Sequence, residues 1–235
     1  MGEGVDLSVV LPAYQEADNL RLLLPRLRES LAGLGVQTET IIVDAIEPID
    51  ETASLCAQFP VRYVRRRNSN CFGDAVRTGI AEAHGRHILF MDADGSHAPE
   101  LIPALYASIG EADIIAASRY VPAGRTENGL ILVLMSRLLN VVYGAVLGIP
   151  CSDISNSFKL YRAVDIKGLK LISNEFDIVE EIICKVFRNN GRAVIKEIPF
   201  TFKKRMFGRT KRSLVKFIRT YITTIIKLRF GAYRD

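Results

Sequence analysis

Apolar and polar positions along the chain follow two periodicities that alternate. Short apolar and β-branched runs predict strands at Leu7–Leu11, Thr40–Val43, Val61–Val64, His87–Met91 and Ile114–Ala117. Between them, apolar residues three or four positions apart predict a helix capped by Asp18 or Asn19 and lined by Leu20 to Leu31, and further helices near Ala75–Ala83 and Leu101–Ile109. This alternation predicts right-handed crossovers and a mostly parallel α/β sheet with helices on both faces.

A pair of carboxylates follows the fourth predicted strand. Ligands of parallel sheets bind beyond the carboxyl ends of the strands, so residues directly after a strand are the first candidates for a site. Asp92 and Asp94 stand two positions apart after His87–Met91, and alternate residues of a strand point to the same side. Two converging carboxylates are typical of a Mg²⁺ or Mn²⁺ site that substrate phosphate oxygens complete. A solvated turn is the alternative, since acids at this spacing are common in loops.

A long apolar segment lies in the second half of the chain. Gly129–Ile149 has 21 residues and a single charge, Arg137, and approaches the length of a membrane-spanning helix. A charge near the middle of a bilayer is costly, so the segment predicts a helix that is buried or lies at an interface, with a spanning helix as the alternative. We therefore expect a chain without a membrane anchor of its own.

Composition and charge narrow the class of protein. With 49% hydrophobic and 24% charged residues, the 235-residue chain is folded rather than disordered. Its four cysteines are scattered and no leader-like apolar run opens the sequence, so we expect a reducing, cytoplasmic location. Residues 203–235 contain eleven Lys and Arg and one acid, whereas residues 1–202 carry a net charge of −5. A basic tail on an acidic body indicates a local anionic partner such as a phosphate or a membrane surface.

The basic tail also has helical periodicity. Its apolar face consists of Leu214, Phe217, Ile218, Tyr221, Ile222, Ile225 and Leu228, and Lys216, Arg219 and Lys227 lie off that face. We therefore divide the chain into a main domain at residues 1–210 and a basic amphipathic helix at residues 211–235. Such a helix can lie in a membrane interface, and packing on the body with a solvated basic face is the alternative. A second basic run, residues 65–67, is interpreted as solvated, with a phosphate site as the alternative.

Several segments occur in an order typical of one enzyme family. They are V-V-L-P-A-Y-Q-E at 9–16, Gly73-x-Ala75, M-D-A-D-G-S-H-A-P-E at 91–100, Ser118-Arg119-Tyr120, the stretch 153–161, and E-x-P-x-x-F-x-x-R-x-x-G-x-T-K at 197–211. Together they resemble family 2 glycosyltransferases, in particular the dolichyl-phosphate mannose synthases and related polyprenyl-phosphate sugar transferases. The resemblance implies a GT-A-like fold, with residues 1–210 as the nucleotide-sugar-binding catalytic domain.

The resemblance also implies an activity and a set of site residues. The expected enzyme is a metal-dependent inverting hexosyltransferase that moves mannose from GDP-mannose to a dolichyl or polyprenyl phosphate, bound peripherally at the cytoplasmic face of a membrane. Metal binding (Mg²⁺ or Mn²⁺) is expected at Asp92, Asp94 and Ser96, and the catalytic residues are Asp92, Asp94 and Arg205. Donor binding is expected at Pro12, Tyr14, Glu16, Asp44 and Asp92, and acceptor-phosphate binding at Arg119, Ser136, Arg137, Arg205 and Lys211. His97 is expected to form hydrogen bonds rather than to bind the metal.

Departures from the family pattern keep other functions open. The paired acids that follow the family's second strand are reduced to Asp44 with Ala45 beside it, and Asn156 and Ser157 replace a Ser-Gly pair before Phe158. A UDP-glucose-dependent polyprenyl-phosphate glucosyltransferase is therefore one alternative, and a non-catalytic, membrane-associated nucleotide-sugar-binding member is another. A separate transmembrane partner also remains open. Nucleic-acid binding is disfavoured, because the tail lacks the aromatic platform on which single strands stack.

Overall fold

The computed structural model describes residues 4–191, 193–208 and 214–231, with side chains from residue 220 onward in the last range. The strands within these ranges are β1 Leu7–Pro12, β2 Thr38–Asp44, β3 Arg62–Arg65, β4 His87–Phe90, β5 Ile114–Ser118, β6 Arg125–Thr126, β7 Lys159–Arg162, β8 Ile195–Pro199 and β9 Thr201–Phe202. The helices are α1 Ala17–Ala32, α2 Thr52–Cys56, α3 Phe72–Glu82, α4 Ile102–Ala107, α5 Leu130–Leu147, α6 Ala163–Ile166, α7 Ile178–Asn189 and α8 Leu214–Phe230.

Seven strands form one sheet in the order β3-β2-β1-β4-β7-β5-β8. Neighbouring strands are parallel, except that β7 runs antiparallel to both β4 and β5. Strands β6 and β9 pair separately as a short parallel ribbon. The predicted mostly parallel α/β sheet is confirmed. Because β1, β2 and β4 are parallel neighbours, the residues that follow them meet at one edge of the sheet, where ligands of such sheets bind.

Both faces of the sheet are buried, because alternate side chains of each strand enter different cores. Val10 and Ile88 face a core shared with α3, α5, α7 and α8. Val9 and Leu89 face the opposite core, which α1, α2 and α4 complete. Burial on both sides accounts for the continuous apolar runs that made these strands recognisable in the sequence.

Strand β7 lies in the middle of the sheet although its sequence does not predict a strand. It is short and begins with Lys159, which a local pattern assigns to a surface. In the structure Lys159 is fully buried, and its ammonium group donates hydrogen bonds to the carbonyl oxygens of Ile154 and Asn156. These carbonyl oxygens compensate the buried charge of Lys159. Only the folded chain places them there, so the sequence pattern does not reveal the strand.

The first helix begins differently from the prediction. Helix α1 starts at Ala17, and its N-cap residue is Glu16, so neither Asp18 nor Asn19 is the cap. Asp18 lies in the first turn, where a carboxylate favourably faces the helix dipole. The prediction of a cap at Asp18 or Asn19 is wrong, and the buried Asn19 side chain is used elsewhere.

Helix α5 lies within the predicted apolar segment. Among the described residues it is the one helix that could cross a membrane, judged by length and composition alone. Only Asn140, Tyr143 and Leu147 of this helix are buried. Its exposed large apolar side chains are Leu130, Ile131, Leu132, Leu134, Leu138, Val141, Val142 and Val146. A buried helix is therefore excluded, whereas an interface-lying helix and a spanning helix both remain compatible with the exposed apolar face.

Helix α8 lies within the predicted tail helix and packs on the body. The Thr224 hydroxyl donates a 2.6 Å hydrogen bond to Asp177 Oδ2, and the Tyr143 hydroxyl donates a 2.8 Å bond to the carbonyl oxygen of Tyr221. Tyr221 and Leu228 are buried. Among the side chains of this helix that the structure describes, residues 220–230, the exposed large apolar ones are Ile222, Ile226 and Phe230. The apolar side chains are thus divided between the body and the surface, and membrane association of this helix stays a prediction.

Candidate active site

The two candidate metal carboxylates lie on a tight turn after β4. The strand ends at Phe90, so Asp92 and Asp94 lie in the turn that follows it. The prediction that strand alternation points both carboxylates to one side is therefore wrong, and the turn places them instead. Gly95 completes the turn with a φ of 81°, a left-handed conformation that glycine adopts without strain. A Cβ atom at Gly95 would lie 2.3 Å from Met206 Cε, so a larger residue here would displace the Met206 side chain.

The segment 203–207 lies against this turn. The backbone N–H of Met206 donates to the carbonyl oxygen of Asp94 at 3.1 Å, and that of Lys203 donates to the carbonyl oxygen of Ser96 at 3.0 Å. These two bonds bring Arg205 to the carboxylates, with its Nε 3.4 Å from Asp94 Oδ2. Residues predicted from separate motifs, at 91–100 and 197–211, therefore meet in one site.

Arg205 is held in a two-point ion pair. Its Nη1 and Nη2 donate hydrogen bonds of 2.8 Å each to the two carboxylate oxygens of Glu16. Burial disfavours the charged guanidinium, but the hydrogen bonds to Glu16 and the nearby Asp94 outweigh it and raise the pKa of Arg205. The side chain is a permanent cation directly beside the carboxylate pair, which suits it to a phosphate ligand.

Asn19 fastens the same segment to helix α1. Its Oδ1 accepts a 2.9 Å hydrogen bond from the Phe207 N–H, and its Nδ2 donates to the Phe207 carbonyl oxygen at 3.3 Å and to Glu16 Oε2 at 2.6 Å. No sequence motif predicts this role, because the partners lie 188 residues apart. No local signal distinguishes Asn19 from a solvated polar residue in the first turn of a helix, because its burial is a property of the folded chain.

Asp92 is surrounded by polar partners on its buried side. Ser157 Oγ donates a 2.8 Å hydrogen bond to Asp92 Oδ1, and the Asp92 N–H donates a 3.0 Å bond to His97 Nδ1. His97 is completely buried and stacks on Phe158 at a centroid distance of 4.8 Å. Burial lowers the pKa of His97, so the ring is neutral. The expectation that His97 forms hydrogen bonds agrees with these contacts.

The carboxylate pair fits a divalent cation. The Asp92 and Asp94 side chains keep exposed fractions of 28% and 19%, so both reach the surface of the site. Ser96 Oγ is buried and has no hydrogen-bond partner among the residues that the structure describes, which leaves an oxygen available beside Asp94. No group of three or more His, Cys, Asp or Glu side chains that could hold a metal occurs within the described ranges. A cation here would need further oxygen ligands from a substrate, as Mg²⁺ sites commonly do.

A third carboxylate, which is buried, ends β2 at the same edge of the sheet. Asp44 is fully buried, and its Oδ2 accepts a 3.1 Å hydrogen bond from the Tyr63 hydroxyl. Its Oδ1 has no hydrogen-bond partner in the described part of the chain. Burial raises the pKa of Asp44. An unsatisfied buried acceptor is costly unless a ligand donor reaches it, so the environment of Asp44 fits the predicted donor site.

The basic run at residues 65–67 is not uniformly solvated, which corrects the sequence interpretation. Arg66 is buried, and its Nη2 donates a 2.6 Å hydrogen bond to the carbonyl oxygen of Ala13. Its guanidinium lies 5.4 Å from the centre of the Tyr14 ring. Burial lowers the pKa of Arg66. Arg66 therefore fixes the loop after β1, which contains Tyr14 and follows Pro12, the last residue of that strand.

Three of the five predicted acceptor residues, Arg119, Ser136 and Arg137, form a second basic cluster around Tyr120. The guanidinium groups of Arg119 and Arg137 lie 4.9 and 5.1 Å from the Tyr120 ring, and Arg119 Nη2 donates to Ser136 Oγ at 3.3 Å. Arg119 is nearly buried and already paired, since its Nε and Nη2 donate to the Asp153 carboxylate at 2.7 and 2.6 Å. Its role as a phosphate ligand stays a prediction. Lys211 lies outside the described residues.

The sequence matches a known protein family. The model of the glycosyl transferase family 2 matches residues 8–169, which span the first seven strands and the candidate metal turn. The chain belongs to glycosyl transferase family 2.

Similar proteins of known name agree with the resemblance that the motifs indicated. The chain is 32% identical over 213 residues to a dolichol-phosphate mannosyltransferase of Pyrococcus furiosus, covering 87% of this chain and 58% of that protein. It is 29% identical to an undecaprenyl-phosphate mannosyltransferase of Micrococcus luteus over 87% of this chain and 86% of the relative. A dolichol-phosphate mannosyltransferase of Saccharomyces cerevisiae is 29% identical over 97% of this chain and 90% of its own length. The chain thus spans little more than half of the Pyrococcus relative and most of the other two.

The fold of this family 2 member also matches solved structures. Glucosyl-3-phosphoglycerate synthase of Mycobacterium tuberculosis, crystallised with Mn²⁺, UDP and glucosyl-3-phosphoglycerate, superposes with a TM-score of 0.73 at 19% identity, covering 97% of this chain and 81% of that one. The structure of the same enzyme with Mg²⁺ and UDP gives a TM-score of 0.72 at 18% identity, over 97% of this chain and 80% of that one. At this identity the likeness concerns the fold, and it confirms the predicted GT-A-like architecture.

Proposed function

We propose that this chain transfers a hexosyl group, mannose from GDP-mannose, to a polyprenyl phosphate with inversion at the anomeric carbon. One observation carries the proposal. The partly exposed carboxylates of Asp92 and Asp94 lie beside the permanently charged Arg205 at the ligand-binding edge of the sheet. Relatives named as polyprenyl-phosphate mannosyltransferases support the choice of acceptor and sugar. The chemistry follows from what each end of the site can bind.

At the donor end, Asp92 and Asp94 would hold Mg²⁺ or Mn²⁺, with the Ser96 hydroxyl as an additional oxygen ligand. When bound, the cation acts as a Lewis acid that stabilises negative charge on the departing nucleoside diphosphate. Pro12, Tyr14, Glu16 and Asp44 are proposed to line the nucleotide side. The unsatisfied Oδ1 of Asp44 supports this assignment, because an N–H group of a base or a ribose hydroxyl can donate to it.

At the acceptor end, no strong general base is required. A phosphate monoester has a second pKa of about 6 and is largely a dianion at neutral pH. One of its oxygens attacks the anomeric carbon and forms the new C–O bond, while the bond from that carbon to the diphosphate oxygen breaks and its electron pair leaves with the nucleoside diphosphate. Arg205 is the proposed clamp for the attacking phosphate, together with Lys211 and the cluster of Arg119, Ser136 and Arg137. Planar guanidinium groups suit two phosphate oxygens at once.

We also propose that the exposed apolar side of α5 and the basic end of α8 face a membrane from its cytoplasmic side. Ile131, Leu134, Leu138 and Val141 are exposed at spacings of three and four residues, which places them on one side of α5. Lys227 and Arg229 are exposed in the last turn of α8. Apolar side chains flanked by lysine and arginine are typical of helices that lie in a lipid interface. An interface position is favoured over a spanning one, because Asn140, Tyr143 and Leu147 tie α5 to the body. The alternative is a transmembrane partner protein that binds the same surface, and the flotation experiment below distinguishes it from a lipid interface.

Flotation of the purified protein with vesicles tests the membrane surface. Val141→Glu, on the exposed side of α5, is compared with Val164→Glu on α6. Both valines are largely exposed, with exposed fractions of 68% and 82%. We expect Val141→Glu to weaken binding to phosphatidylcholine–phosphatidylglycerol vesicles by about ten-fold, and Val164→Glu to bind as wild type does. Equal binding by all three proteins would refute a lipid interface at α5. Wild-type protein that does not float at all would instead favour a protein partner.

Transfer of radiolabelled sugar into a lipid extract tests the enzymatic proposal. Purified protein is supplied with GDP-mannose, UDP-glucose or UDP-N-acetylglucosamine, a polyprenyl phosphate in detergent, and Mg²⁺ or Mn²⁺. Asp92→Asn should abolish transfer, whereas the exposed Asp18→Asn in α1 should leave it unchanged. If none of the three donors labels the lipid extract, the proposed transferase activity is refuted.

The same assay decides between the alternatives. Labelling from UDP-glucose alone would select a polyprenyl-phosphate glucosyltransferase, which the change around Asp44 and Ala45 keeps open. Metal-dependent binding of a nucleoside diphosphate with no turnover would select a non-catalytic member.

A further inference from the structure

Asn156 and Ser157, which depart from the family pattern, both contact the candidate metal turn. Their hydrogen bonds form a connected chain that runs from strand β5 to Asp92. The Asn156 Nδ2 donates a 2.7 Å bond to the carbonyl oxygen of Ala117. Its Oδ1 lies 3.1 Å from His97 Nε2. All three residues, Asn156, His97 and Asp92, are held by partners that come from different segments of the chain.

The direction of each hydrogen bond in this chain is determined. A carbonyl oxygen only accepts, so the amide nitrogen of Asn156 must face Ala117 and its oxygen must face His97. The proton of the neutral ring therefore sits on Nε2, which donates to Asn156 Oδ1. Asp92 Oδ2, the next oxygen at 3.8 Å from Nε2, is an acceptor as well and favours the same tautomer. Nδ1 is then an acceptor, as the Asp92 N–H requires.

This arrangement leaves neither ring nitrogen of His97 for a metal. Nδ1 accepts from the backbone of Asp92 and Nε2 donates to Asn156, and the ring is closed in by Phe158, Phe200 and Phe202. The ring thus acts as a rigid spacer that fixes the backbone of Asp92. Ser157 Oγ fixes the side chain by donating to Oδ1. Oδ2, which lies on the other side of the carboxylate, has no hydrogen bond from another described residue within 3.5 Å.

We propose that Asn156 and Ser157 are positioning residues that hold Asp92 so that one carboxylate oxygen is presented to the divalent cation. Asn156 acts through His97 on the backbone, and Ser157 acts directly on the carboxylate. The inference rests on the proposed metal-dependent function, but it makes a claim about metal affinity that does not require turnover. A carboxylate held in one orientation loses less conformational freedom when it binds a metal, and removal of such outer hydrogen bonds typically weakens metal binding by 10- to 100-fold.

Direct titration of Mn²⁺, followed by the electron paramagnetic resonance signal of the free ion, tests the proposal with and without GDP and in the absence of an acceptor. Ser157→Ala should raise the Mn²⁺ dissociation constant by about ten-fold, because the Asp92 carboxylate is then free to rotate. Ser157→Thr retains the hydroxyl and should stay within about two-fold of wild type. Ser152→Ala alters an exposed serine of the same loop and serves as the matched control. Asn156→Asp replaces the donor to Ala117 with an acceptor and should weaken Mn²⁺ binding as well.

Kinetics separate positioning from a general loss of structure. In Ser157→Ala, the Mn²⁺ concentration that gives half-maximal transfer should rise by about the same ten-fold, while kcat at saturating Mn²⁺ should remain within about three-fold of wild type. Equal Mn²⁺ dissociation constants for wild type and Ser157→Ala would overturn the inference, even if the enzyme is active. Wild-type protein that binds no Mn²⁺ with or without GDP would overturn it too. Mn²⁺ binding that depends on Ser157 in a protein with no transfer activity would uphold the inference and refute the proposed function.

Discussion

Replacing Arg205 with lysine keeps the positive charge and removes the geometry on which the site depends. The guanidinium reaches three carboxylate oxygens at once, both oxygens of Glu16 through Nη1 and Nη2 and Asp94 Oδ2 through Nε. A lysine ammonium is a single point charge and cannot span the two carboxylates with the same directions. Arg205→Lys should therefore retain one ion pair with Glu16 and lose the remaining contacts.

The size of the effect follows from the burial of the pair. The side chains of Arg205 and Glu16 have exposed fractions of 23% and 7%, so the pair is only partly screened by solvent. A hydrogen bond between charged groups contributes about 1.5 to 3 kcal/mol, and the lysine recovers part of it. We expect a loss of about 1 to 2 kcal/mol in the free energy of unfolding, which corresponds to a fall in Tm of about 2 to 8 °C for a domain of this size.

Activity should fall more than stability does. If Arg205 also clamps the acceptor phosphate through an N–H group that Glu16 leaves uncommitted, the loss of that bond lowers kcat/KM for the polyprenyl phosphate by about 10- to 100-fold, which is about 1.4 to 2.7 kcal/mol of transition-state stabilisation. Thermal unfolding and initial rates at varied acceptor concentration measure the two effects. Arg125→Lys, at an exposed position of β6, is the matched control. Wild-type acceptor kinetics in Arg205→Lys would refute the assignment of Arg205 to the phosphate.

Three further changes test the surroundings of the site. Asn19→Ala removes both bonds to Phe207 and should lower stability by about 1 to 3 kcal/mol, seen as a lower urea midpoint, and should also reduce transfer; unchanged transfer would show that the segment needs no clasp. Gly95→Ala places a Cβ against Met206 at a φ of 81° and should lower Tm and transfer, with partial recovery of Tm in the double variant with Met206→Ala; no recovery would exclude the contact as the cause. Burial disfavours ionisation of Asp74, but hydrogen bonds from the 67–69 loop lower its pKa from 3.8, so Asp74→Asn should be destabilising at pH 7. That stability difference should shrink as the pH falls below 3.8 through the folded-state pKa, because the wild-type carboxylate is then protonated; a difference that persists in acid would contradict the reasoning.

Local sequence determined the first five strands, the sheet class and the position of the candidate metal turn. Apolar runs such as Leu7–Leu11 and His87–Met91 are long enough to be recognised without tertiary information, because both faces of a central parallel strand are buried. Asp92 and Asp94 were identified because a polar pair directly after such a run lies at the binding edge of the sheet. These features depend only on residues that are close together in the sequence, so one sequence is enough to predict them.

The tertiary structure decided which polar side chains are partners. Arg66 sits in a basic run that is indistinguishable from a solvated one, yet it is buried because the carbonyl oxygen of Ala13, 53 residues away in the chain, accepts its hydrogen bond. The buried pair of Arg119 with Asp153 and the clasp of Asn19 on Phe207 arise in the same way. No local pattern encodes such contacts, because a buried charge or amide is compensated by whichever group the fold brings to it.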